Sequence, residues 1–128
     1  MKGSYILLIE VDQSIELIVR KNKWFLREDI YAYVGSAMNG IWQRVSRHLR
    51  KNKKKHWHID YLLKFAKIKA VVMYPGKREE ELSRTLSKYF EGVQGFGATD
   101  LRLKSNLYRV ENIDSFFDVV KGFLNQDD

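Results

Sequence analysis

Three histidines, seven tyrosines and a dense run of arginine and lysine are the side chains of this sequence best suited to chemistry. There is no cysteine, which excludes a thiolate nucleophile, a disulfide and a Cys-ligated metal. His56-Trp57-His58-Ile59-Asp60 has the His-x-His-x-Asp spacing used by di-zinc hydrolases. Such sites need further histidine ligands, and only His48 remains. Helix-start packing, with Asp60 in a first turn where an anion is favoured, together with phosphate contact, therefore accounts better for this stretch. The glycines at 92, 95 and 97 lack the strand-then-helix context of a phosphate-binding loop, and no Gly-x-Ser-x-Gly elbow occurs. Arg44, Arg47, Arg50, Lys51, Lys53, Lys54 and Lys55 fall in one short window, the densest part of a formal charge of +7. Such a window attracts polyanions, although a solvated lysine-rich surface has the same composition.

The elements that must carry these residues can be read from periodicity. Residues 4–11 and 15–20 are rich in β-formers and are separated by Asp12-Gln13-Ser14, which predicts a hairpin that residues 23–27 extend. Residues 30–36 alternate, placing Tyr31, Tyr33 and Gly35 on one face and Ala32 and Val34 on the other. Residues 40–51 are expected to be helical, with an Ile41, Val45, Leu49 stripe. Arg44 and His48 lie along one edge of that stripe, one turn apart. A second helix is expected over 57–66, a buried strand over 68–74 ended by Pro75-Gly76, and a third helix over 78–90 with Leu82, Leu86, Tyr89 and Phe90 on one face. The glycine-rich run 91–98 reads as a loop, 107–111 as a short strand and 113–124 as a closing amphipathic helix. This order predicts an α/β (α+β) fold: a small, mainly antiparallel sheet flanked by helices, in one domain over residues 1–128. The apolar run near the N-terminus stops at Glu10, too short for a membrane span or a signal peptide, so a cytoplasmic protein is expected.

Tyrosine is a common strand residue, and spacing alone makes Tyr5, Tyr31 and Tyr33 core or cross-strand partners. The wider constellation is more specific. Gly3-Ser4-Tyr5 lies on the first strand, Tyr33-Val34-Gly35 on a later one, and Arg44 and His48 on the helix that follows. This arrangement resembles the GIY-YIG nuclease family, in which Gly-Ile-Tyr and Tyr-Ile-Gly or Tyr-Val-Gly occupy those strands and an Arg-x-x-x-His pattern the helix. Over most of its length the chain is similar to a compact, DUF123-like branch of uncharacterised archaeal and bacterial proteins, some fused to endonuclease III-type glycosylases. Shared stretches are Tyr-Val-Gly-Ser-Ala at 33–37, Arg-His-Leu at 47–49, His-Trp-His-Ile-Asp-Tyr-Leu at 56–62 and Gly-Phe-Gly-x-x-Asp at 95–100.

The resemblance implies a GIY-YIG-like fold and hydrolysis of a phosphodiester with one divalent metal, magnesium or manganese. Tyr5 would activate or position the attacking water, with Tyr33 beside it. Arg44 would stabilise charge on the phosphoryl oxygens. His48 would relay a proton or hold the phosphate. A glutamate would bind the metal, and Glu79 is the choice because it precedes a core leucine, Leu82, by three residues on the inward face; Glu81 is the reserve. An acidic first turn favoured by the helix dipole also accounts for these glutamates. Asn106 is the candidate for a late family asparagine. Arg47, Lys51, Lys53, Lys54, Lys55, His56 and His58 are the candidate phosphate-tracking residues.

The sequence departs from the family in three places. Ser4 replaces isoleucine, a small change if its side chain faces away from the site. Tyr5 and Tyr33 are widely separated, so an extra hairpin must intervene. The run from Asp100 to Asn106 lacks the cysteines and histidine usual in the related branch. The expected activity is that of a structure-directed DNA endonuclease in repair or recombination, with DNA favoured over RNA, a DNA-repair protein as possible partner and no membrane. A non-catalytic nucleic-acid-binding module keeping the same fold is the alternative, and a module docking an acidic protein is a third class.

Overall fold

The structure, a computed structural model, describes residues 2–37, 39–51, 53, 55, 57–97 and 105–125. In chain order its elements are β1 (Gly3–Val11), β2 (Ile15–Val19), β3 (Asn22–Leu26), β4 (Asp29–Ala37), α1 (Ile41–Leu49), α2 (His58–Leu62), β5 (Lys67–Pro75), α3 (Glu79–Ser87), β6 (Glu91–Gly92), β7 (Leu107–Val110) and α4 (Ile113–Asn125). The architecture is α+β. Five antiparallel strands form one sheet in the order β5-β1-β4-β7-β6, and β2 and β3 form a separate two-stranded ribbon.

β1 lies inside the sheet, between β5 and β4, because it is apolar on both faces. Tyr5, Leu7, Ile9 and Val11 point into one core, shared with Leu17 and Val19 of the ribbon, Ile41 and Val45 of α1, and Ile59 and Leu62 of α2. Ile6 and Leu8 point into a second core, closed by Leu82 and Leu86 of α3 and by Phe116, Val120 and Phe123 of α4. Burying a side chain of this size contributes about 1.5–3 kcal/mol, so a strand with two covered faces is worth far more inside the sheet than beside it.

That preference overturns the hairpin expected between residues 4–11 and 15–20. β1 pairs with β4 and β5, whereas β2 pairs with β3, Leu17 opposite Trp24. β2 is apolar on one face only, with Leu17 and Val19 buried and Glu16 and Ile18 exposed, which suits a cover rather than a central strand. Arg20 and Lys21 form its two-residue loop, and Arg20 takes a positive φ of 56°, as tight hairpins require. The ribbon lies between Tyr5 and Tyr33 in the chain, where an extra hairpin was expected.

Other expectations shift by less. β5 is an edge strand with only Tyr74 fully buried, rather than a buried strand. On α1 the inward residues are Ile41, Val45 and His48, while Leu49 is 56% exposed. A residue seven positions on lies about 20° from the starting direction and one eight positions on about 80°, so His48 inherits the core position. α2 stops at Leu62, well short of 66, and α3 stops at Ser87, leaving Tyr89 exposed and Phe90 half-buried beyond its end.

Candidate active site

Tyr5 and Gly35 stand opposite each other on β1 and β4, and the next pair on the same face is Leu7 with Tyr33. The ring of Tyr5 occupies the space a side chain at 35 would fill: a Cβ there would lie 2.5 Å from Tyr5 Cζ. Glycine is therefore needed for room, not for an unusual backbone. Tyr5 is 1% exposed, and its hydroxyl lies 2.7 Å from His48 Nε2. His48, 3% exposed, also faces the ring of Tyr33 edge-on at 6.4 Å between centroids. Either Tyr5 donates to Nε2, or Nε2–H donates to the phenol oxygen; Nδ1 has no hydrogen-bond partner among the described residues.

Burial keeps both partners neutral. It lowers the His48 pKa to about 4, aided by the nearby charge of Lys53. It raises that of Tyr5, against the pull of the Arg44 guanidinium, and raises that of Tyr33 as well, with Tyr5 and Glu79 adding to the effect. Arg44 and Glu79 are thus close enough to act on the tyrosines with opposite sign.

Arg44 sits one turn before His48 on α1. Its Nη1 donates to the carbonyl of Ser36 at 3.1 Å, and its guanidinium lies 4.3 Å from the centre of the Trp57 ring. Glu79 arrives from the other layer, as the first residue of α3. Ser36 Oγ donates to Glu79 Oε2 at 3.4 Å and Asn106 Nδ2 to Oε1 at 3.5 Å, both long contacts. The end of β4 is what lets residues from both faces of the sheet meet. Asn106 is itself fixed: its Oδ1 accepts from Ser83, and its Nδ2 donates to the Gly97 carbonyl at 3.0 Å.

Three residues in this region had no signal in the sequence reading, and a fourth, Ser4, has a role that the sequence reading did not assign. The hydroxyls of Ser83 and Tyr108 and the carbonyl of Ser105 form a buried polar cluster behind Asn106, with Ser83 Oγ bonded to Tyr108 Oη and to the Ser105 carbonyl. Ser4 points away from Tyr5, as strand alternation requires, yet it is not idle. Its Oγ donates to the Gly76 carbonyl at 3.0 Å and accepts the Arg78 N–H at 2.7 Å, so it ties β1 to the residue that precedes Glu79. Ser4, Ser83 and Tyr108 are ordinary polar residues, each with a partner far along the chain.

The remaining candidates occupy other surroundings. Arg47 makes a bidentate pair with the buried Asp60, at 2.8 and 3.0 Å, and Asp60 Oδ2 also accepts the Trp57 N–H at 3.0 Å. Lys53 Nζ donates to the carbonyls of Arg47 and His48 and so closes the C-terminus of α1. Lys51 is exposed, and Lys55 Nζ lies 5.6 Å from the Tyr61 ring centre. His58 Nδ1 accepts the Gly97 N–H at 3.0 Å, and its ring packs against Trp24 and Phe96. Glu81 is exposed and pairs with Arg78 at 3.3 Å, away from the tyrosines. Lys54, His56 and residues 100–104 lie outside the described residues.

The site thus joins a neutral Tyr–His pair, a guanidinium and a carboxylate at one end of a sheet. Among the described residues no three His, Cys, Asp or Glu side chains gather as a metal cage, and no helix is long and apolar enough to cross a membrane. No curated protein and no solved structure matches the chain. A family model described as "Domain of unknown function DUF123" matches residues 4–126, and the chain belongs to that family.

Proposed function

We propose that this protein is a metal-dependent endonuclease of the GIY-YIG type that hydrolyses phosphodiesters in nucleic acid, DNA before RNA, in the cytoplasm. The observation that carries the reading is the convergence of Tyr5, His48, Arg44 and Glu79, from three different elements, beside Tyr33 of β4. A structure-directed substrate in repair or recombination suits a fold with no separate specificity element among the described residues.

Magnesium, with manganese as its substitute, fits the donor set. A small hard cation binds through one or two carboxylates and substrate phosphates and keeps several waters, so it needs no cage. Glu79 would hold it, with the oxygen of Ser36 alongside. The cation would supply charge stabilisation at the leaving oxygen. Arg44 binds the phosphate through its planar donors. Tyr5 takes a proton from the attacking water as its own passes to His48 Nε2, which the 2.7 Å contact allows. A bound phosphate places negative charge near His48 and raises its basicity from the low resting value. Asn106 and Ser83 keep Glu79 in place.

The alternative is a binding module that keeps the fold without the rate. The low basicity of His48 and the single carboxylate favour it. Labelled DNA and RNA structures incubated with Mg²⁺ or Mn²⁺ separate the two. Nuclease action predicts cutting that falls by about 10²-fold or more in Arg44→Ala and Glu79→Ala while binding persists. Salt-sensitive binding without cutting, unchanged in Glu79→Ala, would establish the binding module instead.

A further inference from the structure

We infer that the groove beside α1 is a lane for an unpaired nucleic-acid strand, with Phe65 as the platform on which a base stacks. The inference rests on the nuclease reading for the kind of polymer that reaches the groove. The groove, about 960 Å³, is lined by residues at the C-terminus of α1, His48 among them, just past the end of α2 and at the start of β5. Arg50, Lys51, Lys53, Lys55, Lys64 and Lys67 line it, and none makes an ion pair among the described residues. The opposing carboxylates are Glu10, Asp12 and Asp60, and Arg47 already neutralises Asp60. Such an excess draws a polyanion.

The apolar surface selects which polyanion. Phe65, 53% exposed, lines the groove with Lys64 Nζ 5.7 Å from its ring centre, and exposed Leu49 lines it too. A duplex turns phosphates outward and hides its base faces, so it matches the lysines but leaves Phe65 against water. A single strand offers both, phosphates to the cations and base faces to the ring. His48, the partner of Tyr5, is among the residues that line the groove, whereas Tyr5, Tyr33, Arg44 and Glu79 are not, so the groove holds a stretch of strand beside the site rather than the reacting phosphate itself. The preferred substrate class is then a nucleic acid that carries an unpaired stretch rather than a continuous duplex.

Binding measured by fluorescence anisotropy in metal-free buffer tests this without cleavage. Labelled oligothymidylate and oligouridylate are compared with a blunt duplex, and phosphatidylserine vesicles serve as the competing anionic surface. The expected result is tighter binding of the single strands, weakened about 5- to 150-fold by Phe65→Ala and retained by Phe65→Trp. Lys64→Ala with Lys67→Ala should lower the slope of log K against log salt by about 1.4. All three side chains are exposed, so folding is preserved, and circular dichroism checks it. Equal affinity for duplex, single-strand binding indifferent to Phe65→Ala, or binding to vesicles alone would overturn the lane. The nuclease reading fails separately, through absence of metal-dependent cutting at a single-strand–duplex junction while Phe65-sensitive binding remains.

Discussion

Replacing Gly35 by alanine tests whether Tyr5 is held where the site requires it. The new Cβ would lie 2.5 Å from Tyr5 Cζ and 2.9 Å from Cε2, whereas carbon atoms rest about 3.5–4.0 Å apart. The ring must therefore retreat by about 1 Å, and Tyr5 is buried with no open side to move into. Overpacking of this kind costs about 1–3 kcal/mol, and losing the bond to His48 adds about 1 kcal/mol. Removing a glycine from the unfolded chain returns about 0.4–1 kcal/mol. The net loss is about 1–3 kcal/mol, or a Tm lower by about 4–12 °C for a chain of this length. Thermal and urea unfolding of Gly35→Ala measure it directly. In a Tyr5→Leu background the obstructing ring is gone, and the added cost of Gly35→Ala should largely disappear. An unchanged or raised Tm, or an equal penalty in both backgrounds, would refute the claim that Gly35 exists to admit Tyr5.

Three further outcomes follow from the same geometry. His48 takes up its proton near pH 4 when folded and near 6.5 when unfolded, so the unfolded chain binds the extra proton between those values. Stability should be intact above about pH 6.5 and fall as pH drops towards 4, by about 3 kcal/mol in all; His48→Gln should flatten that slope in urea titrations across the range. Arg47→Met strands the Asp60 carboxylate, whose side chain has no solvent exposure, and should cost about 3–5 kcal/mol; adding Asp60→Asn should recover part of it, and a neutral single variant would show the pair to be dispensable. Ser4→Ala removes the acceptor of the Arg78 N–H and should cost about 1 kcal/mol. On the nuclease reading it should also raise the magnesium concentration needed for half-maximal cutting without altering oligonucleotide affinity; no change in either quantity would detach Ser4 from Glu79.

What could be read from the sequence was what repeats over short distances. Alternation placed Tyr31, Tyr33 and Gly35 on one face of β4, and the helical repeat brought Arg44 and His48 one turn apart towards the core. Strand partners were a different matter. Nothing local distinguishes residues 15–20 from residues 67–75 as the neighbour of β1; the choice depends on which strands end up covered on both faces. Arg47 looked like one more cation in a basic window, because its partner Asp60 sits within a pattern suggestive of metal binding. The hydroxyls of Ser83 and Tyr108 are separated by 25 residues, and only the closed fold makes them a single support for Asn106.

The strand order also sets a timetable for synthesis. The ribosome delivers β1 before either of its neighbours, and the second of these, β5, ends only at Pro75. At about 5–20 residues per second, the run from Tyr5 to Ile9 waits roughly 4–15 s for its second flank. The β2–β3 ribbon needs nothing outside itself to close and can form within about 1–10 μs of emerging. Nascent chains halted before β5 therefore carry a finished ribbon beside an apolar strand still open along one edge. Such an edge invites pairing with another chain. Lys67 and Lys69, on the strand that finally seals it, then guard the outer border of the completed sheet.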